Sequence, residues 1–455
     1  MLIAWKFIIF RKKGVIMTIF PVWISSLFTS QSPTLYQQKI AALKAAIPSG
    51  GGSKISVLIS GASISGLIRA IQSRLSGAPT IVIEKRAEDA PGRENTVSLD
   101  DEAVDVLKQY AVYDYLIENQ LISVEKPGSL VVRIKDLEIA MKAVLKEISP
   151  ETAIRYDSQI IEIIDRVAQT AIVAIRGKDG ETTRTAPHLL VIAEGARSST
   201  NDLLGNSRVQ VLPKVPVVAA IFKSREWSCL AIPAMIGDVF THLYYTLLFL
   251  FKMTFGGENI FNSERRIRGA IILPTPGQNY VGYTLDKEGC EELKQLDEEY
   301  RKTNDPKIKS ELDASLNYWS HLSFAFANAL AIFAKLTGNN KEQFNTACWK
   351  PLDLESTSVI EIGADRAQGC SGTVGTTAYL VAGDALHTVD PVTGLGASTA
   401  INSSLLFKRI LEKSSQDRLY PMSLMDYDRE SEETIKKIHD RSIAFRRLYR
   451  PDAVN

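Results

Sequence analysis

The sequence predicts an α/β protein in which a mainly parallel sheet is interrupted by an inserted antiparallel-sheet region and followed by C-terminal helices. Two observations carry that prediction. Apolar, strand-length runs at 55–59, 80–84, 189–193 and 378–382 each lead into a short polar or glycine turn, as strands buried on both faces of a parallel sheet do. From Val211 to Leu354 the chain instead shows alternating segments, Gly269 to Leu273 and Tyr280 to Leu285, followed by charge-rich helices.

In chain order, residues 1–53 read as an extension and linker. Arg11-Lys12-Lys13 precedes an apolar run, Val15 to Phe28, which Pro21 interrupts. The run resembles an export signal and is short for a membrane span. An unstructured extension, a docked helix and a start at Met17 compete with export. A cytoplasmic location is the expectation, with membrane association or export still open. Thr34 to Ala46 is helix-like, and Ile47-Pro-Ser-Gly-Gly-Gly-Ser53 has linker composition. Strand Ile55 to Ile59, a glycine turn, helix Ile64 to Leu75, a Gly77-Ala-Pro79 turn and strand Thr80 to Glu84 then form a β-α-β unit. The expected division is a discontinuous first domain (54–210 with 354–413), an inserted candidate substrate domain (211–353) and a C-terminal helical segment (414–455).

Charge and cysteine usage limit the partners. In 455 residues, 53 Lys and Arg nearly cancel 52 Asp and Glu, so no overall field favours nucleic acid. Cys229, Cys290, Cys348 and Cys370 form no CxxC pair and the histidines show no HExxH spacing, which argues against a zinc site or a disulfide framework. Small molecules are the expected partners.

The first turn reads Gly61-Ala-Ser63-Ile64-Ser65-Gly66, a GxGxxG variant with serine at the second glycine. At a strand-to-helix junction this spacing gives a tight turn, close approach of a pyrophosphate and helix packing on the strand. The N–H groups at the helix start are then free to meet phosphate. Glu84, with Lys85 beside it, ends the next strand where an acid would bind ribose hydroxyls. These features fit a Rossmann-like dinucleotide fold, with an ordinary doubly wound fold and a coincidental glycine turn as the alternative.

Further on, the chain reads Gly383-Asp384-Ala-Leu-His387-Thr-Val-Asp-Pro391-Val-Thr-Gly394-Leu395-Gly396, then a helix-compatible Ala397 to Leu411. This resembles the GDAxH…P…GxG signature of class A flavoprotein monooxygenases of the para-hydroxybenzoate hydroxylase type. The resemblance implies that the β-α-β unit binds FAD. It implies that Asp384, after Gly383, holds the ribityl chain, and that the turn through Pro391, Gly394, Leu395 and Gly396 lies against the isoalloxazine ring. Glu194-Gly195-Ala-Arg197-Ser198 matches the family's DG motif with glutamate for aspartate, which moves the carboxylate by about 1.5 Å. Two arginines also match. Arg133 opens a helix near the expected FAD phosphates, Arg93 lies in Pro91-Gly-Arg93-Glu-Asn95, and both segments show a weaker resemblance to the monooxygenase domain of MICAL proteins.

The resemblance implies an NAD(P)H-dependent monooxygenase that uses FAD, NADPH or NADH and dioxygen to hydroxylate a small molecule through a flavin C4a-hydroperoxide. The cofactor would do the difficult chemistry, and no catalytic triad is expected. His387 has two readings, an acid–base group or a support for its turn. The aromatic run Val239 to Phe255, with Tyr244 and Phe249, is read as lining an apolar or aromatic substrate cavity, as core, or as a membrane-surface contact. An FAD-binding module without turnover, and a flavin dehydrogenase or oxidase, are the alternative functions.

Overall fold

The computed structural model describes residues 33–48, 55–90, 95–122, 130–152, 154–224, 246–247, 267–275, 278–285, 287–336, 352–389, 395–414 and 421–449. The chain enters through helix α1 (Leu35–Ala46), where Thr34 and Gln37 form a capping box. Next come β1 (Val57–Ser60), α2 (Ile64–Leu75), β2 (Thr80–Ile83), β3 (Thr96–Leu99), α3 (Asp101–Gln109), α4 (Val112–Glu118), β4 (Leu130–Arg133) and α5 (Ile134–Ile148). The short β5 (Ile154–Arg155) precedes β6 (Gln159–Ile164), β7 (Ile172–Arg176), β8 (Thr182–Thr185), β9 (Leu189–Ile192) and α6 (Ser199–Leu203). Long strand β10 (Arg208–Ser224) leads to β11 (Ile267–Thr275), β12 (Gln278–Leu285), α7 (Lys287–Thr303), α8 (Pro306–Leu336) and β13 (Leu352–Ala367). The chain closes with β14 (Ser371–Val374), β15 (Thr377–Val381), α9 (Gly396–Asn402), α10 (Ser404–Lys413) and α11 (Pro421–Tyr449).

The main sheet has the order β14-β15-β9-β1-β2-β5. Its pairs β15/β9, β9/β1, β1/β2 and β2/β5 are parallel, and β14 adds an antiparallel edge. Strands β1 and β9 are buried throughout, which is why they read as unbroken apolar runs rather than alternating ones. A second, antiparallel sheet has the order β11-β12-β10-β13, as the alternating segments predict. Its two long strands pair from Arg208↔Ala367 to Ser224↔Leu352, so the expected boundaries at 210/211 and 353/354 fall inside continuous strands.

Helix α2 is buried from Ile64 to Ser73 between the sheet and the helices packed over it. Burial on all sides means its polar residues need partners. Arg69, fully buried, donates to the Ser65 carbonyl and Oγ, the Ala400 carbonyl and Ser403 Oγ, and Gln72 donates to Tyr110 and Ser404. The helix expected over Ala397 to Leu411 divides into α9 and α10 at Ser403. The Ser403 hydroxyl bonds back to the Ala400 carbonyl there, the local competition that weakens helices at serine. No helix among the described residues is long and apolar enough to cross a membrane.

Candidate cofactor site

Strands β15, β9 and β1 are neighbours and parallel, so their C-terminal ends bring three turns to one edge of the sheet. The fit between these turns is steric. Gly61 has φ +106°, and a Cβ there would lie 2.3 Å from the Ala193 carbonyl oxygen. A Cβ on Gly66 would lie 1.8 Å from the Gly61 carbonyl oxygen. Gly383, at φ +58°, faces the Ser65 side chain so closely that its Cβ would come within 2.8 Å of Ser65 Cβ. Only glycine satisfies such contacts, and the first and third motifs thereby touch. Ile64, Ser65 and Gly66 form the buried first turn of α2. Ser63 is its N-cap, but the Oγ makes no capping bond and donates instead to Glu138 Oε1 of α5 at 2.6 Å.

Three carboxylates border these turns. Glu84 follows β2 and is buried; it accepts from the Ala62 N–H at 2.9 Å and from the Arg86 N–H and Nε at 3.0 Å each. Burial alone would raise its pKa, but the hydrogen bonds from Arg86 and Ala62 outweigh it and hold Glu84 below the usual carboxylate range. Lys85 beside it is exposed. Asp384 is exposed on a one-turn 3₁₀ helix, Gly383–Ala385, whose backbone is fixed from outside. Arg208 donates to the Asp384 and Ala385 carbonyls at 2.9 Å each, and Asn201 donates to the Ala385 carbonyl at 2.9 Å.

Glu194 ties the middle turn together. It accepts from Ser60 Oγ at 2.5 Å, Thr200 Oγ1 at 2.5 Å, Ser198 Oγ at 2.8 Å and the Thr200 N–H at 3.1 Å. Ser60 ends β1 and Thr200 lies in the first turn of α6, so the longer side chain joins a strand end to a helix start. Gly195 follows at φ +84° with open space where its Cβ would be. Arg133 caps α5 and its Nε pairs with Asp136 at 2.5 Å, and Leu395 and Gly396 form the N-cap and first residue of α9. Arg93, Pro391, Gly394, Tyr244 and Phe249 lie outside the described residues.

His387 is buried, and its Nε2 meets His439 Nε2 of α11 at 2.6 Å. Burial, with His439, Arg208 and Arg366 adding to it, pushes the His387 pKa down to about 3; burial and Arg366 also lower that of His439. Nearby, the two terminal Arg366 guanidinium nitrogens donate to the Glu432 carboxylate, and burial raises the Cys370 thiol pKa to about 12. Helix α11 thus closes over the third motif, with Tyr427 donating to the Val381 carbonyl at 2.7 Å. Glu138, Arg208, His439 and two of the partners of Glu194, Ser60 and Thr200, are not marked by any of the sequence motifs, whereas its third partner, Ser198, ends the middle one.

No family model matches the chain, and no curated protein sequence does. Solved structures match by shape. The p-nitrophenol 4-monooxygenase PnpA of Pseudomonas putida DLL-E4 superposes with a TM-score of 0.56 at 14% identity, over 87% of this chain and 89% of its own. P. aeruginosa PqsL, solved as a four-site mutant, gives 0.55 at 16% identity, over 88% and 98%. The anhydrotetracycline hydroxylase OxyS of Streptomyces rimosus gives 0.53 at 16% identity, over 86% and 69%. At such identities the likeness establishes the fold, that of the class A flavin monooxygenases.

Proposed function

We propose that this chain, with the fold of the class A flavin monooxygenases, is an FAD-dependent monooxygenase that uses NADPH or NADH and dioxygen to hydroxylate an apolar or aromatic small molecule. One observation carries the reading. Three turns from adjacent parallel strands converge at the carboxyl ends of the strands, where open α/β sheets bind their ligands, and two of them touch through Gly383 and Ser65.

The residues present fit FAD. The N–H groups of Ile64 and Ser65 would take the pyrophosphate at the start of α2, a 12-residue helix whose dipole favours an anion. Glu84, held ionised, already takes four hydrogen bonds and would accept from a ribose hydroxyl in place of the longest of them, the 3.4 Å bond from Arg86 Nη2. Asp384 would accept from the ribityl hydroxyls, and the start of α9 at Leu395-Gly396 would lie against the ring. Bound FAD would supply the two-electron acceptor and, once reduced, the means of activating dioxygen. The protein's part is to hold the cofactor, exclude water and position the substrate. His387, neutral and paired with His439, acts as a support for its turn rather than as an acid–base group.

A second reading, an FAD-binding module without turnover, draws on Glu194, whose two oxygens already take four internal hydrogen bonds. Anaerobic mixing of the FAD-loaded chain with NADH or NADPH separates the readings. Bleaching of the flavin, followed by incorporation of one oxygen atom into a substrate on admitting dioxygen, is the monooxygenase result. Absence of bleaching with either nicotinamide favours the module.

A further inference from the structure

We propose that Glu138 is a positioning residue that keeps the phosphate-binding end of α2 open by holding the Ser63 hydroxyl away from it; this rests on the FAD reading. Ser63 replaces the second glycine of the motif and occupies the N-cap of α2 in extended geometry, φ −97° and ψ −174°. A serine so placed ordinarily turns its oxygen onto the N–H groups of the second or third helical residue, here Ser65 and Gly66. These belong to the same first turn that a pyrophosphate would use, so a capping serine competes with the ligand.

In this chain the cap bond is not made. The Ser63 hydroxyl instead donates to Glu138 Oε1 at 2.6 Å, and Glu138 is only 5% exposed, fixed on α5 where that helix packs against α2. A carboxylate is a stronger acceptor for the hydroxyl than any neutral neighbour, so the bond to Glu138 wins over self-capping. The serine therefore does at this turn what glycine does elsewhere, provided an acceptor stands opposite it. Glu138 is the third residue of a helical turn that begins with Asp136, and no sequence motif singles it out.

The test is FAD affinity of the cofactor-stripped full chain, measured by flavin fluorescence for wild type, Glu138→Ala, Glu138→Gln, Ser63→Gly and the double variant Ser63→Gly/Glu138→Ala. Glu138→Ala should weaken binding by about tenfold, the scale of displacing an N-cap hydrogen bond. Glu138→Gln, which keeps an acceptor oxygen, and Ser63→Gly should bind as wild type does. The double variant should regain wild-type affinity even if its melting temperature stays low, because with no hydroxyl there is nothing to hold back. Equal weakening in Glu138→Ala and the double variant, or no weakening in Glu138→Ala, overturns the proposal while leaving FAD binding intact. A wild-type chain that binds no FAD removes the functional reading itself. Should Glu138→Ala not fold, Glu138→Met fills its volume without an acceptor and gives the same comparison.

Discussion

Gly383 and Ser65 stand so close that a Cβ on the glycine would come 2.8 Å from Ser65 Cβ and 2.9 Å from its Oγ. The contact joins the turn after β15 to the first turn of α2, residues separated by most of the chain. Gly383→Ala should destabilise the fold by about 2–4 kcal/mol, through the left-handed backbone and the contact together. Ser65→Gly in the same chain should recover the contact part but not the backbone part. Urea denaturation of the single and double variants measures both, and additive losses would show that the two residues do not interact.

Glu194 replaces the aspartate of the related motif and gathers Ser60, Ser198 and Thr200. Ser60 and Thr200 are buried, so removing the acceptor strands their hydroxyls. Glu194→Ala should cost about 3 kcal/mol. Glu194→Asp, drawn back by about 1.5 Å, should lose roughly half of that. An unchanged urea midpoint in Glu194→Ala would show that the four bonds do not hold the turn.

The His387–His439 pair gives a pH dependence of definite sign. Both rings have folded-state pKa values below the ordinary 6.5, His387 at about 3 through burial and neighbouring positive charge. The unfolded chain therefore takes up protons first as pH falls. The stability the neutral pair contributes is complete above about 6.5 and is lost progressively from there toward about 3. Replacing both histidines by glutamine should flatten the pH dependence of unfolding between those limits. Parallel curves for wild type and the double variant would contradict this.

The steric demand at Gly66 comes from the Gly61 carbonyl, within one turn of chain, and Gly61 needs a positive φ of its own, which is why the glycine spacing could be read directly from the sequence although the Ala193 contact at Gly61 could not. The apolar runs likewise mark β1, β9 and β15, because a strand buried on both faces has no choice of composition. The rest of the site depends on partners that only the fold brings together. Ser60 lies 134 positions from Glu194, and Arg208 lies 176 from Asp384. His439 sits on α11, a helix whose docking no local pattern announces. The break at Ser403 was locally visible in the polar run Asn402-Ser403-Ser404, but the long apolar spacing on either side of it favours one continuous helix. The aromatic run 239–255 lies almost wholly outside the described residues, so its part in substrate choice rests on the sequence alone.

Asp384 is exposed and its backbone is fixed by Arg208 and, through Ala385, by Asn201. Its carboxylate also attracts the part-buried Arg208 guanidinium, so the melting temperature is read beside affinity. Asp384→Ala should weaken FAD binding by about tenfold or more, the loss of charge-assisted bonds to hydroxyls. Lys178→Ala, at an exposed loop, should leave affinity unchanged. Equal affinities in the two variants would take Asp384 out of the site.

Titration of the purified, cofactor-stripped full chain with FAD is the most direct measurement, followed by flavin absorbance and fluorescence alongside far-ultraviolet circular dichroism. Saturable uptake of one FAD per chain, with a protein-perturbed flavin spectrum, is the expected result. A chain that retains its α/β dichroism and leaves FAD free at every concentration would contradict the assignment of the three converging turns as a cofactor site.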